Sequence, residues 1–244
     1  GTEEDLKRTS VTQPAIYIHS VAAAFANELE KVGKMAAGHS LGEFSALTVA
    51  GVLDFADGLR LVSIRAGAMQ KACDMQKSTM AAILGLSDED VEDICQQVKD
   101  VVVPANYNTT GQLVISGSIS GVDEAMDLAK TRGALRVIPL NVNGAFHSPL
   151  MEPARIELAD GINRASFSDA RIPVYQNVHA LPQTAKEAIK ENLLMQLTSP
   201  VRWTQTIRKM IDDGASGFVE AGPGSVLKGL IRKIDRKMEV ENVS

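Results

Sequence analysis

The stretch Met35-Ala36-Ala37-Gly38-His39-Ser40-Leu41-Gly42-Glu43-Phe44-Ser45-Ala46-Leu47 passes from a short apolar run, through a glycine-flanked serine, into a helix-forming segment. Its centre, Gly38-His39-Ser40-Leu41-Gly42, fits the G-x-S-x-G pattern of a nucleophile elbow. There a serine on a tight strand-to-helix turn projects its hydroxyl into a cleft, and the flanking glycines relieve the crowded backbone. Five residues of this kind also occur in ordinary glycine-rich turns. The placement between an apolar run and a helix is what favours the elbow.

Working outward, Leu41–Ala50 reads as a helix closed by Gly51 at C′. Asp54 caps the next helix, whose buried stripe is Phe55, Leu59, Val62, Ala66 and Met69. On the N-terminal side, Ile16–His19 reads as a short strand or helix start. Ser20 would be the N-cap of an alanine-rich helix over Val21–Lys31. Downstream, Met80–Leu84, Val101–Ala105, Leu113–Ser116 and Leu135–Leu140 read as strands, with helices over Asp88–Val98 and Gly121–Thr131. That order is βαββαβ, a ferredoxin-like unit with its own core. Residues 74–143 are therefore expected to form an inserted subdomain, with 1–73 and 144–244 making an α/β core. Helices over Pro149–Ala165, Ala185–Leu197 and Val201–Asp213, a strand over Gly217–Glu220 and a last helix after Gly224 complete the pattern.

Composition narrows the function. With 244 residues, 45% of them hydrophobic and 23% charged, the chain has the makings of a soluble globular protein with a sizeable core. A net charge of −5 argues against nucleic acid as a partner. The longest apolar stretch, Ala15–Ala26, is too short for a membrane span and is broken by His19 and Ser20. Gly1–Thr12 is polar and acidic, unlike a secretory signal, and Cys73 and Cys95 make no disulfide or metal pattern. A cytoplasmic protein without membrane association is expected.

A serine needs a base to attack at neutral pH. Of the four histidines, His39 should point away from the elbow and brace the turn. His147, in Gly144-Ala145-Phe146-His147-Ser148-Pro149, is expected to stand exposed to a cleft at the return to the larger core; the bland alternative is a surface or capping histidine. Arg65 falls on the flank of its helix's buried stripe, where a guanidinium must be paired or face a cavity. It is either a structural salt bridge or a bidentate clamp for a substrate carboxylate. Lys228, Arg232, Lys233, Arg236 and Lys237 read as a solvated helix face, with docking of an acidic partner or of coenzyme A phosphates as the alternative.

The segment Gly38–Leu47 resembles the active-site stretch of malonyl-CoA:acyl-carrier-protein transacylases. So, in the same order, do Thr12-Gln13-Pro14-Ala15, the Arg65 helix, Asn106-Tyr107-Asn108 with Gly111-Gln112, Phe146–Met151, Pro200-Val201-Arg202-Trp203 and Glu220–Gly224. The resemblance implies an α/β-hydrolase-like core with an inserted ferredoxin-like subdomain. It implies Ser40 as nucleophile, His147 as general base and the Leu41 N–H as an oxyanion donor. Arg65 would hold the malonyl carboxylate, with Gln13 and Phe146 lining the same pocket. Gln196 would orient the histidine through its backbone carbonyl, which accounts for the lack of an obvious triad aspartate. Malonyl-CoA would be the donor and the phosphopantetheine thiol of acyl carrier protein the acceptor, with no permanently bound cofactor and no metal. In one respect the chain departs from the pattern. Family members begin earlier, with a strand ending in a Gly-Gln-Gly turn that gives a second oxyanion donor, and this stretch has no counterpart in the sequence.

The rivals are a serine esterase or thioesterase on the same elbow, an acyltransferase domain of a polyketide-type synthase, and a non-catalytic carrier-binding module. Acid release against transfer, or binding without acylation, would separate them.

Overall fold

The computed structural model describes residues 2 and 9–244; the remainder of the polar N-terminal stretch lies outside the described residues. The fold is mixed α/β. Helix α1 (Thr9–Ala26) buries Gln13, Tyr17, Val21, Ala23 and Ala24. This corrects the expected break at Ser20: the helical period through Gln13, Tyr17, Val21 and Ala24 carries the helix straight past that serine. A short helix α2 (Leu29–Val32) leads to strand β1 (Ala36–Ala37), then to α3 (Gly42–Val49) and α4 (Phe55–Met75). In α3, six consecutive residues from Glu43 to Thr48 are buried, so this helix is surrounded by protein rather than lying on the surface. Gly51 closes it at φ 79°, and the Asp54 side chain caps α4 by accepting from the Asp57 N–H. The buried side of α4 is centred on Leu61, Val62, Arg65, Ala68, Met69 and Ala72. Phe55, expected inside, is 43% exposed at the helix start, where it stacks on Tyr17.

Residues 78–139 form a four-stranded antiparallel sheet in the order β3-β4-β2-β5: β2 (Ser78–Leu84), β3 (Val102–Thr109), β4 (Gln112–Ser118) and β5 (Arg136–Pro139). Helices α5 (Asp88–Gln97) and α6 (Ile119–Thr131) share a separate hydrophobic cluster with it, built on Ala81, Ile83, Ile94, Leu113, Ile115 and Val122. β3 extends to Thr109 instead of ending at Ala105, because its far end pairs with Leu113 and Gln112 across the Gly111 turn. Ser87 and Ser118 cap the two helices.

The rest of the chain builds the larger core. Helix α7 (Glu152–Arg164) packs on α4, and β6 (Val174–Tyr175) pairs parallel with β1 and antiparallel with β7 (Pro182–Gln183). Helices α8 (Lys186–Met195) and α9 (Trp203–Asp212) flank a 3₁₀ turn over Gln196–Thr198. Strand β8 (Gly217–Ala221), helix α10 (Val226–Ile234) and a parallel strand β9 (Glu239–Val243) follow. The small sheet joins the larger core through backbone bonds at Val201, whose N–H donates to Ala105 (2.8 Å) and whose carbonyl accepts from Tyr107 (2.9 Å). No described helix is long and apolar enough to cross a membrane.

Candidate active site

Ser40 sits between β1 and α3 with φ 51°. This left-handed backbone costs a non-glycine residue about 1–3 kcal/mol, and it persists only where surrounding contacts over-determine it. Here they do. The Ser40 N–H donates to Asn177 Oδ1 at 2.8 Å, and the Ser40 carbonyl accepts from Gln196 Nε2 (3.0 Å) and from the Glu43 N–H (3.1 Å). Gly38 must be glycine, since a Cβ there would lie 1.9 Å from the Gly42 carbonyl group. Gly42 is a different case: nothing described lies within 4 Å of its Cβ position. The motif's two glycines are therefore unequal, the first a steric requirement and the second open.

The Ser40 hydroxyl lies between two groups. His147 Nε2 is 2.8 Å from Oγ, and Arg65 Nη2 donates to Oγ at 2.9 Å. His147 Nδ1 faces the carbonyls of Gln196 (3.0 Å) and Ser199 (3.1 Å). Carbonyl oxygens only accept, so Nδ1 carries the proton and Nε2 is left as an acceptor for the serine O–H. The sequence placed His147 in the open; it is 3% exposed. The loop that carries it folds inward because Ser148 Oγ bonds the Ala145 carbonyl (2.6 Å) and the Ala145 N–H bonds Ser78 Oγ (2.9 Å). Burial, and then the Arg65 charge, push the imidazole pKa down to about 3, so the resting histidine is a neutral base.

Arg65 is 1% exposed. Its Nη1 donates to Gln13 Oε1 at 2.6 Å, its ring-face neighbour is Phe44, and its Nε has no partner among the described residues. Of the two readings of Arg65, the structural salt bridge does not form among the described residues. Glu43 acts on it only at a distance, partly offsetting the burial that lowers the guanidinium pKa to about 10. A buried guanidinium with a spare donor, aimed at the same oxygen as the histidine, is set to receive an anion next to the serine. Phe146 is half-buried and packs against both the large core and the small sheet, over Gly144, where a Cβ would meet its ring at 2.7 Å. The Leu41 N–H, at the start of α3, makes no hydrogen bond to a described residue, which leaves it open to a developing oxyanion. His39 braces the turn as expected, with Nε2 2.9 Å from Asn108 Oδ1 and its ring edge-on to Trp203.

Glu43, Asn177 and the Ser199 carbonyl were missed in the sequence. The fully buried Glu43 accepts from the Asn177 N–H and from Gln176 Nε2, and burial raises its pKa to about 7. Its acid amid the apolar residues of the elbow helix was the one available signal; Asn177 and Ser199 had none.

A serine held by a histidine that carbonyls orient, beside a buried arginine, defines an acyl-transfer site of the nucleophilic type. The acyl transferase domain family model matches residues 1–244. The malonyl CoA-acyl carrier protein transacylase of Bacillus subtilis is 42% identical over 253 residues, covering 100% of this chain and 78% of that protein. Among solved structures, the malonyl CoA-acyl carrier protein transacylase of Coxiella burnetii superposes with a TM-score of 0.96 at 39% identity, covering 100% of this chain and 78% of that one. The malonyl-transacylase of a type II PKS, solved with its acyl-carrier protein, gives 0.94 at 38% identity, covering 100% of this chain and 80% of its own. The chain belongs to the acyl transferase domain family and, within it, to the malonyl CoA-acyl carrier protein transacylases.

Proposed function

We propose that this chain moves a malonyl group from malonyl-CoA to the phosphopantetheine thiol of acyl carrier protein through an ester on Ser40, as a cytoplasmic step of fatty-acid synthesis. The single observation that carries the proposal is the Ser40 hydroxyl held at 2.8 Å from His147 Nε2 and 2.9 Å from a buried Arg65 that has no acidic partner among the described residues. His147 Nε2 takes the serine proton as Oγ bonds to the thioester carbon. Negative charge on the carbonyl oxygen is met by the Leu41 N–H. The C–S bond breaks, and the coenzyme A thiolate leaves with the proton from His147. In the second half His147 takes the proton of the carrier thiol, whose sulfur attacks the ester, and returns it to Ser40.

Arg65 selects the acyl group, because only a half-thioester of a dicarboxylic acid offers the guanidinium a carboxylate; Gln13 holds it in plane, and Phe146 walls the pocket. The same pairing bears on the base. Arg65 is one cause of the low His147 pKa, so a carboxylate that neutralises it makes the imidazole a better proton acceptor. The correct substrate thereby sharpens its own attacking group. The carriers are both substrates, and the reaction calls for no bound cofactor. We also read residues 74–143 as a ferredoxin-like subdomain inserted in an α/β-hydrolase-like core. The sheet order β3-β4-β2-β5 with both helices in one cluster supports that reading.

Intact-mass spectrometry after brief incubation with malonyl-CoA tests the function. A single malonyl adduct, absent from Ser40→Ala, is expected. A folded chain that hydrolyses malonyl-CoA but passes no malonyl group to acyl carrier protein would make it a thioesterase instead.

A further inference from the structure

Beneath the elbow lies a run of buried polar side chains that the transfer chemistry does not use. Asn177, 1% exposed, stands just after β6, and its side-chain amide spans the turn: Oδ1 accepts from the Ser40 N–H at 2.8 Å, and Nδ2 donates to the Gly38 carbonyl at 2.7 Å. The amide can stand only this way round, since the N–H must meet the oxygen and the carbonyl must meet the NH₂. The Asn177 N–H in turn donates to Glu43 Oε2 at 2.7 Å, a charge-assisted bond to a carboxylate with 0% exposure. Glu43 Oε1 accepts from Gln176 Nε2 (3.2 Å), and Gln176 is itself fixed by Asn192 (2.9 Å) and the Ile189 carbonyl (3.1 Å).

We propose that Asn177 is a positioning residue for the nucleophile, and that Glu43 is its anchor. One planar amide grips the backbone leading into the left-handed Ser40, at the Gly38 carbonyl and the Ser40 N–H, and aims Oγ at His147 Nε2 and Arg65 Nη2 together. A residue that only filled space here would not need both a donor and an acceptor set two residues apart on the turn. Nor would it need a buried carboxylate to hold its own backbone. The inference rests on Ser40 being the nucleophile of the proposed transfer, but not on malonyl being the group transferred.

The test measures Ser40 reactivity toward a serine-directed fluorophosphonate alongside malonyl transfer, each per folded molecule and below the melting temperature of every variant. Asn177→Ala is expected to slow labelling by roughly ten- to a hundredfold and to lower kcat for transfer in step. KM for malonyl-CoA should stay within about threefold, since the Arg65–Gln13 pair is untouched. Asn177→Asp keeps the volume and the acceptor for the Ser40 N–H, and it carries the test alone if the alanine variant does not fold. Its second oxygen faces the Gly38 carbonyl as an acceptor against an acceptor until it is protonated. Its labelling deficit should therefore shrink as pH is lowered, a rescue that loss of packing alone would not produce. Labelling of either folded variant at the parental rate overturns the proposal, as does an aspartate deficit that ignores pH or a parent whose Ser40 is not labelled at all. A parent that is labelled normally but takes no malonyl group sinks the malonyl reading and leaves the positioning role to be judged on the variants' labelling rates.

Discussion

The antiparallel sheet over residues 78–139 and the parallel pair beside Ser40 draw their order from different sources. β2 and β4 pair over seven residues, from Ser78↔Ser118 to Leu84↔Gln112, on an apolar cluster of their own. β1 and β6 pair over two, Ala36↔Val174 and Ala37↔Tyr175. What fixes the backbone beyond that short pair is side-chain chemistry: Asn177 on Gly38 and Ser40, Gln196 on the Ser40 carbonyl, and Glu43 on Asn177. A ladder on an apolar face tolerates small changes at many positions. A polar network around a strained turn concentrates its sensitivity in a few.

The comparison breaks most visibly at the two glycines of the elbow. Gly38→Ala should destabilise the fold by more than about 3 kcal/mol, because its Cβ meets backbone that cannot move aside. Gly42→Ala, in open space at the start of a helix, should change stability by no more than about 1 kcal/mol. Urea unfolding of the two variants decides the matter, and equal losses would mean the turn is less tightly defined than described.

Arg65→Ala leaves the small sheet untouched and should act on selectivity. A charge-assisted pair contributes about 1.5–3 kcal/mol, so the malonyl-to-acetyl ratio of kcat/KM should fall roughly ten- to a hundredfold. An unchanged ratio would remove Arg65 from the acyl pocket.

The third effect is on stability against pH, and it should come from the site region. His147 has its folded pKa pushed down to about 3 from an ordinary 6.5. Between those values the unfolded chain binds more protons than the folded one, so stability is full above about pH 6.5 and is lost as pH falls toward 3. Glu43 runs the other way: its folded pKa is raised from 4.5 to about 7, so it favours the fold below 4.5 and loses that contribution as pH rises through 7. His147→Gln should flatten the acid-side decline, and Glu43→Gln should steepen it. Denaturant midpoints across pH 4–7 check both signs, and a His147→Gln curve parallel to the parent would count against a buried neutral histidine.

The same contrast governs what could be read from the sequence. The small sheet's strands alternate or run apolar over several residues, so its order is legible in the sequence, with β2, β3 and β4 each read short of their full length and β3 by the most. The elbow was legible because its constraint is local: a glycine, a serine and a glycine at fixed spacing. β6 and β7 were not, since two-residue strands carry no period. Asn177 was invisible for a related reason, for it serves a residue 137 positions away through one amide, and no local pattern records that. The burial of His147 is not legible in the sequence because Gly144, Ser148 and Pro149 look like an exposed loop. What turns that loop inward is Ser78, from another part of the chain.

The His147 imidazole is held by dipoles alone among the described residues. Behind its Nδ1 stand two neutral carbonyls and, among the described residues, no carboxylate. An imidazolium formed there has only dipoles to rest against, in a pocket that already disfavours positive charge, so it is a poor place for a proton to stay. In the proposed transfer, each proton taken from the serine hydroxyl or the carrier thiol is soon handed to the leaving group, and the imidazole returns to its starting condition after either half of the exchange. Such a centre works as a balance between two thioesters of similar energy. Which pan rises is decided by the relative amounts of donor and acceptor around it, and the protein sets only how quickly the beam swings.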